Sequence, residues 1–234
     1  MSAETVSIAY YSDLLCIWAY VAQIKVDELR RNFLGRVNLD YRFVSIFGNA
    51  RERIGSRWAT RGGFEGYASH VRDVVEGFDH VEVHPRLWTE DVPASSWPSH
   101  LFVKAAALAT AAGIVDGTPV ADFEGRTPVE ELAWRLRLAF FRDLRDIARL
   151  DVQLELAGAM GLPVEAIRAR LEDGTAFAAL AGDLESAASH HVTGSPTFLL
   201  NEGRQKLYGN VGYRVIEANV QECLRDNRDV ASWC

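Results

Sequence analysis

The chain has 234 residues, 48% of them hydrophobic and 24% charged, enough to bury one large core or two modest ones. Its formal net charge of -7, with arginine and glutamate interspersed, leaves no basic patch for phosphates and excludes nucleic acid as the expected partner. The opening MSAETVSIAYYSD has neither a cationic start nor a long apolar leader core, and no run approaches the roughly 18 apolar residues of a membrane span. No membrane association and a cytoplasmic location are therefore expected.

In chain order, TVSIAYYS is β-branched and aromatic with apolar residues on both faces, which predicts a buried strand over about 5–11. Ile17, Tyr20, Val21, Ile24 and Leu29 then recur at helical spacing, with Lys25, Asp27, Glu28 and Arg30 outside, so one helix is predicted over about 17–33. Gly35 can stop it, and RVNLDYRFVSIF alternates as a second strand. Strand, helix and strand within so short a stretch predict a right-handed parallel crossover.

Between residues 47 and 188 the pattern is helical without repeats. FEGYASHVRDVVEGF, WPSHLFVKAAALATAAG, PVEELAWRLRLAFFRDL, DVQLELAGAMG and PVEAIRARLED each carry apolar residues at helical spacing, with proline near starts and glycine near ends. Near the C-terminus, TFLL and RQKLY flank the turn NEG as a hairpin, and a closing helix is predicted over about 213–226. Gly-Ser-Pro before TFLL places Pro196 where it would break a sheet ladder, and a cis Ser195–Pro196 bond accounts for a proline at such a bend.

Cysteine usage is sparse. Cys16, Cys223 and Cys234 are odd in number and far apart, which argues against a disulfide framework. His80, His84 and the His190–His191 pair lack a third ligand at metal spacing, so no metal is expected. Cys16 falls at the predicted helix start, where unpaired N–H groups and the macrodipole favour an anion; its thiol is expected to titrate below a free cysteine. As a lone cysteine among apolar residues it also reads as a small packed hydrophobe.

The two ends of the chain carry a resemblance. DLLCIWAY resembles the D-x-x-C-P-W-C-Y segment of the DsbA-like family, in the branch of FrnE-type oxidoreductases, 2-hydroxychromene-2-carboxylate isomerases and kappa-class glutathione transferases. Asp13, Cys16, Trp18 and Tyr20 match; Ile17 and Ala19 depart. GSPTF is similar to the segment that bears that family's cis-proline, with Pro196 at the proline, and AFFRDLRDIARLDVQLELAGAMGLP is similar to its helical segment. The resemblance implies an α/β thioredoxin-like fold with a large α-helical insertion: residues 1–46 and 189–234 would form the thioredoxin-like part and 47–188 the insertion.

The resemblance also implies a site. Cys16 would be the catalytic thiol, with Asp13, Trp18, Ser195, Pro196 and Thr197 around it. A helical cap would close a cleft over it, with Trp58, Trp88, Trp97 and His100 as candidate lining residues. Ala19 stands where dithiol relatives carry the resolving cysteine, so a mixed disulfide at Cys16 needs an outside thiol such as glutathione or mycothiol, unless the tail returns Cys223 or Cys234 to it. The leading expectation is a monothiol thiol–disulfide oxidoreductase acting with that small thiol on a disulfide or small-molecule substrate. A small-thiol-dependent isomerase or transferase is the second reading, and a noncatalytic binding module on the same fold the third. A homodimer is left open.

Overall fold

The computed structural model describes residues 5–225. β1 (Val6–Ser12) enters the centre of a four-stranded sheet and is followed by α1 (Ile17–Val21) and α2 (Gln23–Asn32). The single helix predicted over 17–33 is two, joined at Ala22, whose N–H still bonds the Trp18 carbonyl at 3.1 Å. β2 (Val37–Phe43) returns parallel to β1, with Val6 opposite Val37 and Ser12 opposite Phe43.

The helical insertion follows: α3 (Gly63–Val75), α4 (Trp97–Ala111), α5 (Pro128–Phe141), α6 (Leu150–Ala159), α7 (Val164–Glu172) and α8 (Thr175–Ser189). It is less continuous than the sequence pattern predicts, since the segments before α4 and before α5 are largely turns and loops. α5 begins on a capping box, Thr127 with Glu130, and on Pro128, a combination that stabilises a helix start by about 1 kcal/mol. α8 lies where no segment was singled out above. It abuts β2, and its Asp183 accepts the Phe43 N–H at 3.0 Å.

β3 (Thr197–Leu200) and β4 (Gln205–Tyr208) complete the sheet in the order β2-β1-β3-β4, with β3 antiparallel to both neighbours. α9 (Tyr213–Leu224) closes the described chain. One sheet face, with Val6, Ile8, Tyr10, Phe198 and Leu200, packs on Val26 and Leu29 of α2 and on Ile216, Val220 and Cys223 of α9. The larger core joins the insertion to the segment after β1 and includes Leu14, Cys16, Phe102, Leu136 and Phe140.

Two further features fix the insertion to the thioredoxin-like part. Arg126 donates two bonds to the Asp27 carboxylate of α2, at 3.0 and 2.6 Å, and a third to Glu131 of α5 at 3.1 Å. The fully buried Arg137 of α5 donates to Ser12 Oγ at 3.0 Å. The register does the rest for function: Tyr11 pairs with Thr197, so the residues leaving β1 and those entering β3 meet at one end of the sheet.

Candidate functional site

That meeting point brings Cys16 to Ser195. Cys16 is the N-cap of α1, with extended backbone, and its carbonyl accepts the N–H groups of Ala19 and Tyr20 at 3.1 Å. Its S–H donates to the Ser195 carbonyl at 3.2 Å. The Ser195–Pro196 peptide is cis, as the sequence predicts. Thr197, fully buried, folds its hydroxyl back to the Gly194 carbonyl at 2.9 Å, and the Gly209 N–H bonds the Pro196 carbonyl at 2.8 Å. The turn that presents Ser195 is thereby held from both sides.

Asp13 anchors the loop from beneath. It is fully buried, and its carboxylate takes four donors: Leu15 N–H at 2.9 Å, Ile46 N–H at 3.0 Å, Phe47 N–H at 2.9 Å and Ser96 Oγ–H at 2.8 Å. Its own N–H donates to Ser195 Oγ at 2.9 Å. One side chain thus ties the Cys16 loop, the segment after β2 and the residue before α4. Its backbone adds the turn before β3.

Burial opposes the Asp13 charge, but the His100 ring, 3.6 Å away, and the N–H groups of Phe47 and Leu15 outweigh it and hold the carboxyl below the usual carboxylate range. His100 Nε2 also accepts the Leu14 N–H at 3.1 Å.

The thiol corrects the sequence expectation. Cys16 is only 6% exposed, and burial pushes its pKa up rather than down. The Ser195 side chain and the N–H groups of Ala19 and Trp18 pull the other way without overcoming the desolvation, and the Asp13 charge adds to it. The S–H donated to the Ser195 carbonyl is a further contact the thiolate cannot make. α1 is a five-residue helix, and the anion stabilisation at such a start, about 0.3–1 kcal/mol, is smaller than the cost of removing a thiolate from water.

The other candidate residues divide by exposure. Trp18 and Trp97 are 37% and 39% exposed: Trp18 is two residues from Cys16, and Trp97 adjoins Ser96, its Nε1–H donating to Ser45 Oγ at 2.8 Å. A Cβ at Gly48 would run into Ser45 Oγ and stand 2.7 Å from Trp97 Nε1, so both side chains would have to shift. His100 is completely buried, stacked on Phe43 with ring centroids 4.3 Å apart. Trp58 lies beside Tyr67 and under Arg61, and Trp88 is buried among aromatic rings.

Sequence reasoning did not find Ser96, Ser45 or Tyr208. Tyr208 packs so closely on Gly194 that a Cβ there would run into its ring. The SSWP start of α4 was the available signal for Ser96, because serine before a helical proline reads as a cap. Its actual bond crosses to Asp13, which no local pattern shows.

Cys223 lies in α9 on the opposite core, and neither it nor Cys16 is in a disulfide. Cys234 lies outside the described residues. Among the described residues, no group of three or more His, Cys, Asp or Glu side chains is placed to hold a metal ion. No helix among them is long and apolar enough to cross a membrane.

No family model matches the chain, and no curated protein does. Solved structures do. A protein described as a probable DsbA oxidoreductase from Streptomyces coelicolor superposes with a TM-score of 0.70 at 20% identity, over 97% of this chain and 93% of that one. The cytosolic disulfide reductase DsbM from Pseudomonas aeruginosa gives 0.64 at 20% identity, over 92% and 99%. A 2-hydroxychromene-2-carboxylate isomerase gives 0.61 at 13% identity, over 97% and 100%. The chain therefore has the DsbA-like thioredoxin fold with its helical insertion.

Proposed function

We propose that the protein is a monothiol thiol–disulfide oxidoreductase in which Cys16 works with an external small thiol. The observation that carries this reading is the Cys16 sulfur seated against the Ser195 carbonyl, at the residue before Pro196, with Trp18 and Trp97 partly open to solvent nearby. The Cys16 thiol first loses its proton to solvent, and the thiolate attacks one sulfur of a substrate disulfide. That bond breaks, the departing half leaves as a thiolate, and Cys16 is left in a mixed disulfide.

Ala19 offers no second sulfur, so a small thiolate must attack the mixed disulfide, returning Cys16 and leaving as the new disulfide. The structure similar to this chain that was solved with glutathione, DsbM at 20% identity, supports glutathione as the first thiol to test, with mycothiol as the other. A reduced cytoplasm suits a thiol with no disulfide partner.

The raised Cys16 pKa favours a second reading. A protonated thiol that donates rather than attacks suits an enzyme that holds a bound small thiol for isomerase or transferase chemistry. One experiment separates the two. Intact-mass analysis after incubation with oxidised glutathione should show one adduct at Cys16, released by reduced glutathione, with turnover of a glutathionylated peptide. No adduct, combined with glutathione-dependent turnover of an aromatic substrate, would replace the first reading by the second. Neither outcome would leave a binding module.

A further inference from the structure

Trp88 carries two oddities that thiol chemistry does not use. Its backbone is left-handed, φ 69°, a region that bulky side chains disfavour. Its indole is packed against Phe47, Tyr67 and Phe140, with ring centroids 5.2, 5.4 and 5.0 Å away, yet the buried Nε1–H has no hydrogen-bond partner. Strained backbone of this kind gathers at ligand clamps, and an orphaned buried donor calls for an acceptor that the chain does not supply.

Trp88 also lines a cavity of about 340 Å³, a size that suits a small molecule. Phe64, Val92 and Pro93 make its walls apolar, and among the described residues Arg51 is the one charged side chain that lines it. Neither Cys16 nor Asp13 does. The cavity flanks the strip where the Ala50 N–H bonds the Ala94 carbonyl at 3.0 Å and the Ser96 N–H bonds the Phe47 carbonyl at 3.0 Å.

We propose that this cavity is a second small-molecule site, separate from the thiol, for an anionic amphiphile. The apolar body would lie against Phe64, Val92 and Pro93, and a carboxylate-like head would accept hydrogen bonds from Arg51.

The test is a titration of the full chain with octanoate, followed through the indole N–H resonances, with Trp88 assigned from Trp88→Phe. Saturable movement of the Trp88 signal is expected, with octanol and octylammonium binding about tenfold more weakly or worse. Arg51→Gln, at an exposed position, should weaken octanoate to the same degree, and Val92→Trp should fill the cavity and abolish binding. Cys16→Ser should bind unchanged, which keeps this outcome distinct from that of the thiol reading. A Trp88 signal that stays still, octanol binding as well as octanoate, or movement confined to Trp18 and Trp97 would each overturn the proposal.

Discussion

Cys16 and Cys223 are buried alike, at 6% and 7% exposure, and burial pushes both thiols up, yet their surroundings differ in kind. Cys223 sits late in α9 among aliphatic and aromatic side chains of the sheet core, and its role there is to fill space. Cys16 stands where three loops converge, each fixed to Asp13, with a backbone carbonyl at its sulfur. Burial and pKa therefore do not distinguish a packed cysteine from a presented one. The contrast lies in what the sulfur faces and how firmly that partner is held.

The largest effect should come from removing the two sulfurs one at a time. Cys16→Ala is expected to abolish adduct formation with oxidised glutathione and any disulfide turnover, whereas Cys223→Ala leaves both within about twofold and costs about 1 kcal/mol of stability from the lost packing. Peptide mapping of the wild-type adduct checks it. A first modification at Cys223 would make Cys16 the packed residue of the pair.

Asp13→Asn should come next. An amide NH₂ replaces one carboxylate oxygen, so at least one of the four donors meets another donor, and each buried donor left unpaired costs about 1–3 kcal/mol. A loss of about 3 kcal/mol in chemical denaturation is expected, with Cys16 alkylated faster as its loop loosens and Cys223 unchanged. The sign with pH follows from the depressed carboxyl. Its contribution to stability is fully present above the ordinary Asp range and is lost as pH falls through the lower folded value, so the wild type should surrender part of this difference in acid and the variant should not. Equal alkylation rates for Cys16 in the two proteins would remove Asp13 as the anchor of the site.

Much of this contrast was legible in the residues. The β1 strand, the helix start at Ile17 and the bend at Pro196 were readable locally, and the resemblance carried by DLLCIWAY and GSPTF brought Cys16 and Ser195 together. What escaped was set by distance. The break at Ala22 leaves no proline or glycine signal, and α8 is rich in alanine, with its anchor, Asp183, bonding a strand far away in sequence. His100 gave no sign that it would be sealed against Phe43, rather than open to a cleft. The sign of the Cys16 pKa was missed for the same reason: the helix start is readable locally, while the desolvation that outweighs it comes from the insertion packing over the thiol.

A smaller effect sharpens the thiol itself. Because the folded Cys16 pKa is raised, the group disfavours its charged form in the native state; its contribution to stability is fully present below the free-cysteine value and lost as pH rises through the folded value. Iodoacetamide labelling of Cys16 should therefore show a midpoint above that of a free cysteine, the opposite of what its place at a helix start suggests. A midpoint below the free value would mean that the site opens in solution and the helix start prevails.

The smallest effect expected is that of Ser195→Ala, and it isolates the feature that Cys223 lacks. The substitution keeps the carbonyl that accepts the Cys16 S–H but removes the hydroxyl, which does two things: it accepts the Asp13 N–H at 2.9 Å, and it favours the Cys16 thiolate. The first loss leaves one backbone donor unpaired at the loop and should cost about 1 kcal/mol. The second should raise the Cys16 labelling midpoint further, by a fraction of a pH unit, since only one of several opposing influences is taken away. Cys223, packed on the other face of the sheet, should keep its labelling curve. Measured together, the two curves separate a local electrostatic contribution from general loosening: loosening would speed both cysteines and lower the Cys16 midpoint toward the free value, whereas loss of the hydroxyl moves Cys16 alone and upward. A downward shift at Cys16 would make the Ser195 side chain a brace for the loop, with no part in tuning the sulfur.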